Sequence, residues 1–172
     1  MRKTCILVLF MFVTAGCQSI PAIQDTPMAA YKKLIVRNIN WKETATCEIE
    51  GDEIAEFVAA QPKLNEIFRA EFTKHITHVG FFDKVNYGDL PSDANTLILE
   101  PKIYTLCPGI RTRKMGSASF TGILKNADGK LVGTYTEERR VGSSLFSTMM
   151  GNIETLVAEL AEDAASHLST AR

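Results

Sequence analysis

The sequence has 172 residues, 45% of them hydrophobic, and its 19 Lys and Arg against 20 Asp and Glu give a net charge of −1. That length supports one domain with one core. The near balance of charge excludes a general nucleic-acid binder, which would be clearly basic, and no internal repeat or low-complexity segment interrupts the chain.

Arg2 and Lys3 are followed by an apolar run from Cys5 to Val13 and then by Thr14-Ala15-Gly16-Cys17. A charged start, an apolar stretch and small residues at a cut site form the layout of a secretory signal. The run is too short to span a bilayer, which takes about 20 apolar residues. Ala15-Gly16-Cys17 resembles a lipobox, with Thr14 where that pattern usually carries Leu. The resemblance implies cleavage before Cys17 and acyl chains, such as palmitate, attached to that residue. Two or more chains anchor stably where one does not, at about 0.8 kcal/mol per buried methylene. The expected organisation is a signal peptide over 1–16, a lipidated cysteine and flexible tether over 17–30, and a single periplasmic domain over 31–172. Gln18 rather than Asp after the cysteine implies sorting to the outer membrane, with the domain facing the periplasm. Residues 1–16 carry two basic and no acidic side chains, so the remainder has 17 basic against 20 acidic residues and a charge of −3.

Lys33 to Trp41 reads as a first strand on Leu34, Val36 and Ile39. Glu43 to Asp52 reads as a loop or short hairpin carrying Cys47, and 53–60 as a short helical turn. A long helix is expected from Pro62, a residue suited to a first turn. There Leu64, Ile67, Phe68, Phe72, Ile76 and Val79 share one face, and Gly80 is the stop. Phe81 to Val85 reads as a short strand. Thr96 to Leu106 is another, in which Pro101 implies an edge position or a bulge. Ser117 to Lys125 and Lys130 to Arg140 flank Asn126-Ala127-Asp128-Gly129, a hairpin signal. Pairing Lys125 with Lys130 would set Leu124 opposite Leu131, Phe120 opposite Tyr135, and Gly122 against Gly133. From Met150 to Leu168, Ile153, Leu156, Val157, Leu160, Ala161, Ala164 and Leu168 form an apolar helical stripe. The order predicts an α+β two-layer sandwich: a mainly antiparallel sheet of 4–5 strands with two long helices on one face.

From Thr96 onward the chain carries a strand, the basic stretch Pro108-Gly109-Ile110-Arg111-Thr112-Arg113, then Gly116-Ser117-Ala118-Ser119-Phe120, the Asp128-Gly129-Lys130 turn, and Gly142-Ser143-Ser144 before a helix. This order resembles a family of bacterial lipoproteins with a domain of unknown function. More distantly it is similar to the auxiliary lipoproteins of ABC-type transporters and to the periplasmic domain of the curli-secretion lipoprotein. The resemblance covers the C-terminal half and implies a small α+β domain acting in an envelope assembly.

The chemistry-bearing residues are sparse. His75 and His78 stand on the helix near Glu71, but a zinc site needs about four ligands, or three and a water, and no motif completes them. Gly142-Ser143-Ser144 lacks a base to activate a serine. No cofactor, metal or catalytic constellation is expected, and the chain reads as a non-enzyme. Cys47 and Cys107 either form one disulfide or remain two buried thiols; the export compartment permits the bond. The hairpin pairing that sets Lys125 opposite Lys130 also places residue 116 near 139, so that Arg111, Arg113, Lys114, Arg139 and Arg140 gather at one end of the predicted hairpin, where they either bind an anion or an acidic partner or form a solvated strand end partly neutralised by Glu137 and Glu138. In Ser143 to Met150, Leu145, Phe146, Met149 and Met150 either cap the core or form a contact for a partner or an acyl chain. The expected function is a membrane-anchored accessory or assembly subunit of a transport or secretion system, with the membrane and an envelope protein as partners. The alternative is a binding module for an anionic or lipidic ligand.

Overall fold

The computed structural model describes residues 28–77, 80–109, 115–142 and 148–170. The last helix, α2 (Met149–Thr170), follows its sequence pattern closely. Every residue of the predicted stripe is buried, along with Met149, Asn152 and Ala165. A stripe that narrow suits a helix lying flat against other elements.

The first helix departs from expectation. α1 (Asp52–Thr77) is one continuous helix of 26 residues with Pro62 inside it. Proline offers no N–H to the carbonyl four residues earlier, here that of Val58. Val58 and Pro62 are both exposed, so solvent is at hand for the freed carbonyl. Leu64, Phe68, Phe72 and Ile76 are buried at four-residue intervals, while Ile67 is only partly covered. Val79 lies outside the described residues, and Gly80 has a φ of +65°.

Six strands form a mixed sheet: β1 (Lys33–Val36), β2 (Ala45–Thr46), β3 (Lys84–Tyr87), β4 (Thr96–Cys107), β5 (Gly116–Lys125) and β6 (Leu131–Val141). The order is β3-β1-β4-β5-β6, with β2 also paired to β4. This corrects the expected mainly antiparallel sheet of 4–5 strands. β1–β3, β1–β4 and β2–β4 are parallel, and only β4–β5 and β5–β6 are antiparallel. The cause is α1: a helical crossover returns the chain in its original direction, so β3 joins β1 in parallel. β1 is shorter than predicted, and Trp41 opens a 3-10 turn, Trp41–Glu43.

β4 lies inside the sheet, correcting the edge position that Pro101 implied. β1 covers Thr96 to Leu99 and β2 covers Thr105 and Leu106, leaving a gap between them. The Leu99 and Ile103 carbonyls turn toward that side, where they accept from Arg37 N and Thr44 Oγ1. Residues two apart on a strand point their backbone groups the same way, so Pro101 sets its donorless nitrogen in the gap. The irregularity in the β4–β5 ladder comes later, between Ile103 and Thr105.

The β5–β6 hairpin turns as expected at Asn126, whose side chain accepts from Asp128 N and Lys130 N, and Gly129 has a φ of +78°. Its register differs. Lys125 pairs with Leu131, Leu124 with Gly133, Gly122 with Tyr135, and Phe120 with Glu137, after an irregularity beside the turn. The predicted Gly122–Gly133 trough is absent because Tyr135 lies across Gly122, and a Cβ there would enter its ring. An aromatic residue over a strand glycine restores the missing packing. On β5, Ala118, Phe120 and Leu124 are buried while Ser117, Ser119 and Thr121 face outward. Phe120 meets Phe68 of α1 at 6.0 Å, and Tyr135 stacks on His167 of α2 at 4.1 Å, so both helices cover the same face.

Candidate functional site

Cys47 follows β2 and Cys107 ends β4. Parallel pairing of Thr46 with Leu106 brings them together, and they form a disulfide with Cα atoms 4.9 Å apart. Cys17 and the residues around it lie outside the described residues.

Of the five cations in the predicted basic cluster, Arg111, Arg113 and Lys114 lie outside the described residues. Arg139 and Arg140 are each engaged. Arg139 directs Nε and Nη2 to the two carboxylate oxygens of Asp163 on α2, a charge-assisted fork. That hydrogen bonding, and then the surrounding carboxylates, hold the guanidinium above its usual pKa. Arg140 contacts Glu138 at 3.0 Å. The observed register pairs Gly116 with Val141 and Ala118 with Arg139, so the expected meeting of residues 116 and 139 is displaced by two. Asp163 was not singled out from sequence. It stands between Ala161 and Ala164 of the α2 stripe as one more acidic residue, and only the packing of α2 on β6 makes it a partner.

His75 lies 3.8 Å from Glu71 and 3.9 Å from Glu162, joining α1 to α2. His78 and Ser143 to Phe146 are outside the described residues. Met149 is buried and Met150 packs partly against the core. Among the described residues no group of three or more His, Cys, Asp and Glu is arranged to hold a metal, and no helix is long and apolar enough to cross a membrane. Asn152 is buried and donates to the Pro108 carbonyl at 2.8 Å, tying the start of α2 to the end of β4.

The gap between β1 and β2 opens a cleft of about 500 Å³ beside Arg37, Asn40, Glu100 and Lys102. Its charges are matched: Arg37 with Asp89 at 2.7 Å, Lys102 with Glu43 at 3.0 Å, and Glu100 with Lys125 at 2.7 Å. The Glu43 hydrogen bond and charge raise the Lys102 pKa, which keeps it cationic.

No family profile matches the sequence, and no curated protein matches it. The fold has counterparts among solved structures. A PelC variant dodecamer from Paraburkholderia phytofirmans is 16% identical, with a TM-score of 0.51 over 85% of this chain and 92% of its own. A Xanthomonas campestris protein of the DUF330 family is 12% identical, with a TM-score of 0.50 over 81% of this chain and 84% of its own. At these identities the likeness is one of fold: a mixed α+β domain shared with PelC and with a family of unknown function.

Proposed function

We propose that the chain is a non-enzymatic assembly subunit of an envelope transport or secretion system, anchored to the outer membrane through acyl chains on Cys17 and facing the periplasm. The single observation that carries the assembly role is the fold likeness, over most of both chains, to a protein that forms a dodecamer. By this reading the chain assembles with copies of itself or with an envelope protein. The anchor rests on the basic start, the apolar run and the small residues before Cys17. The order of motifs after Thr96, similar to ABC-type auxiliary lipoproteins and the curli-secretion lipoprotein, supports the same setting. Against catalysis stands the mutual pairing of the cleft's charges, which leaves none of those pairs poised as acid and base. For the alternative anion site, Arg139 already holds Asp163, while Arg111, Arg113 and Lys114 lie outside the described residues.

Fractionation and sizing test the proposal together. The full chain should be in the membrane fraction, and Cys17→Ser should be soluble or remain as precursor. Chemical cross-linking in intact cells should give a ladder of higher species. A processed, membrane-bound Cys17→Ser variant would refute the anchor, and a strictly monomeric wild-type chain without cross-linked partners would refute the assembly role.

A further inference from the structure

The sheet ends on two unlike strands. β3 is four residues long, whereas β6 runs for 11 and, among the described residues, pairs with β5 alone. An edge strand offers a row of backbone donors and acceptors to another chain, and proteins usually blunt such edges with proline, lysine or bulges. β6 contains no proline or lysine, and from Gly133 to Val141 its ladder runs without irregularity. Its charges are of both signs, in the order Glu137-Glu138-Arg139-Arg140.

That order is complementary to itself. Residues directly opposite in an antiparallel pair share a face of the sheet, so two copies of β6 related by a two-fold axis must place one residue on the axis. With Arg139 there, Glu138 stands opposite Arg140 of the second copy, twice, on the face away from the helices. Glu138 and Arg140 are 60% and 65% exposed and already meet along the strand at 3.0 Å, so the four charges would alternate in sign around a square. On the helix-covered face the axis brings two Arg139 guanidiniums together, each already held by its own Asp163. Moving the axis to Glu138 or Arg140 would set that exposed charge against its own copy, which is destabilising.

We propose that β6 pairs with β6 of a second copy of this chain, antiparallel and centred on Arg139, so that the sheet continues across a two-fold axis. The contact rests on the assembly role proposed above and supplies it with a surface.

Cysteine placement tests the register. Thr136 would fall opposite Gly142 of the second copy, with Cα atoms about 4.5–5.5 Å apart, within reach of a disulfide. Within one chain the two positions lie too far apart along an extended strand to bond. A side chain begun at Gly142 meets nothing within 4 Å, and Thr136 is exposed. The full chain carrying Thr136→Cys and Gly142→Cys, in detergent micelles under mild oxidation, should give a covalent dimer. Thr134→Cys with Gly142→Cys, out of register by two, should not. In sedimentation equilibrium, Glu138→Arg and Arg140→Glu should each weaken the dimer about tenfold, because unlike charges become like charges at two places. The chain carrying both changes should regain wild-type affinity, with circular dichroism confirming that each variant keeps its fold. Equal cross-linking of the two cysteine pairs, or no rescue by the double change, would overturn the β6 contact and leave assembly to another surface. A wild-type chain that stays monomeric would overturn the contact and the assembly role together.

Discussion

The two helices lie on one face of one sheet, yet different forces hold them. α2 buries ten of its 22 residues, spread from Met149 to Leu168. α1 is longer at 26 residues and buries five, four of them from Leu64 onward. Its first half, before Pro62, contributes Phe57 alone to the core. That half is secured from outside by the edge-on contact of Trp41 with Phe57 and by the disulfide that pins the preceding segment to β4. Burial makes α2 part of the core's foundation. The start of α1 is an overhang, with Ile54 and Val58 left in solvent.

Removing the tie should have the largest effect. The bond closes a separation of 60 residues, for which the chain-entropy relation gives about 4 kcal/mol. Cys47→Ser with Cys107→Ser should lose stability on that scale in denaturant titration, and hydrogen exchange should rise first in residues 52–61. Uniform loss of protection instead would show that α1 behaves as one piece. Next comes Leu160→Ala at the centre of α2, where emptying a fully buried site costs about 2–5 kcal/mol. Exchange should then increase across both helices and the sheet. Pro62→Ala should stabilise by about 1 kcal/mol or more, because alanine supplies the N–H that proline lacks. Thermal denaturation reads this gain, and no gain would mean that the helix bends productively at that position.

Val58→Ser should change stability by no more than about 0.5 kcal/mol, since the residue is over half exposed. A larger loss would place it in the core after all. The smallest effect lies away from both helices, at Asp93. Hydrogen bonds from Lys33, and then Thr96, hold its carboxyl below the usual pKa. Its contribution is present above the ordinary carboxylate value, about 3.9, and fades as pH falls through the lower folded value. Asp93→Asn should flatten that acid limb slightly in stability curves measured against pH, with a small loss at neutral pH and none in acid, where the carboxyl is protonated in both states.

What could be read from sequence was what local periodicity encodes. The α2 stripe and the Asn126–Gly129 turn depend on neighbours three or four places apart, and both emerged with nearly correct bounds. The sheet's mixed pairing did not. β1 and β3 are four residues each, and their partnership is decided by α1 folding across them. Pro62 misled because propensity placed it at a helix start, whereas flanking packing carries the helix through it. The hairpin register turned on a preference of Tyr135 for the space above Gly122, which pairing rules based on the turn do not contain. Among candidate residues, Cys47 and Cys107 could be picked out but their union could not be decided. Arg139 looked free because Asp163 lies 24 residues away.

Pro101 carries a further consequence. A strand inside a sheet with one flank partly open is an invitation to foreign chains, since any extended segment of matching length could zip into the vacancy. At the centre of that vacancy β4 offers a ring in place of a donor, and the Ile103 carbonyl is already claimed by Thr44. The seam is thus a lock with its wards filed down, inhospitable to an intruding strand. Pro101→Val would restore the missing donor and remove that one protection from the seam.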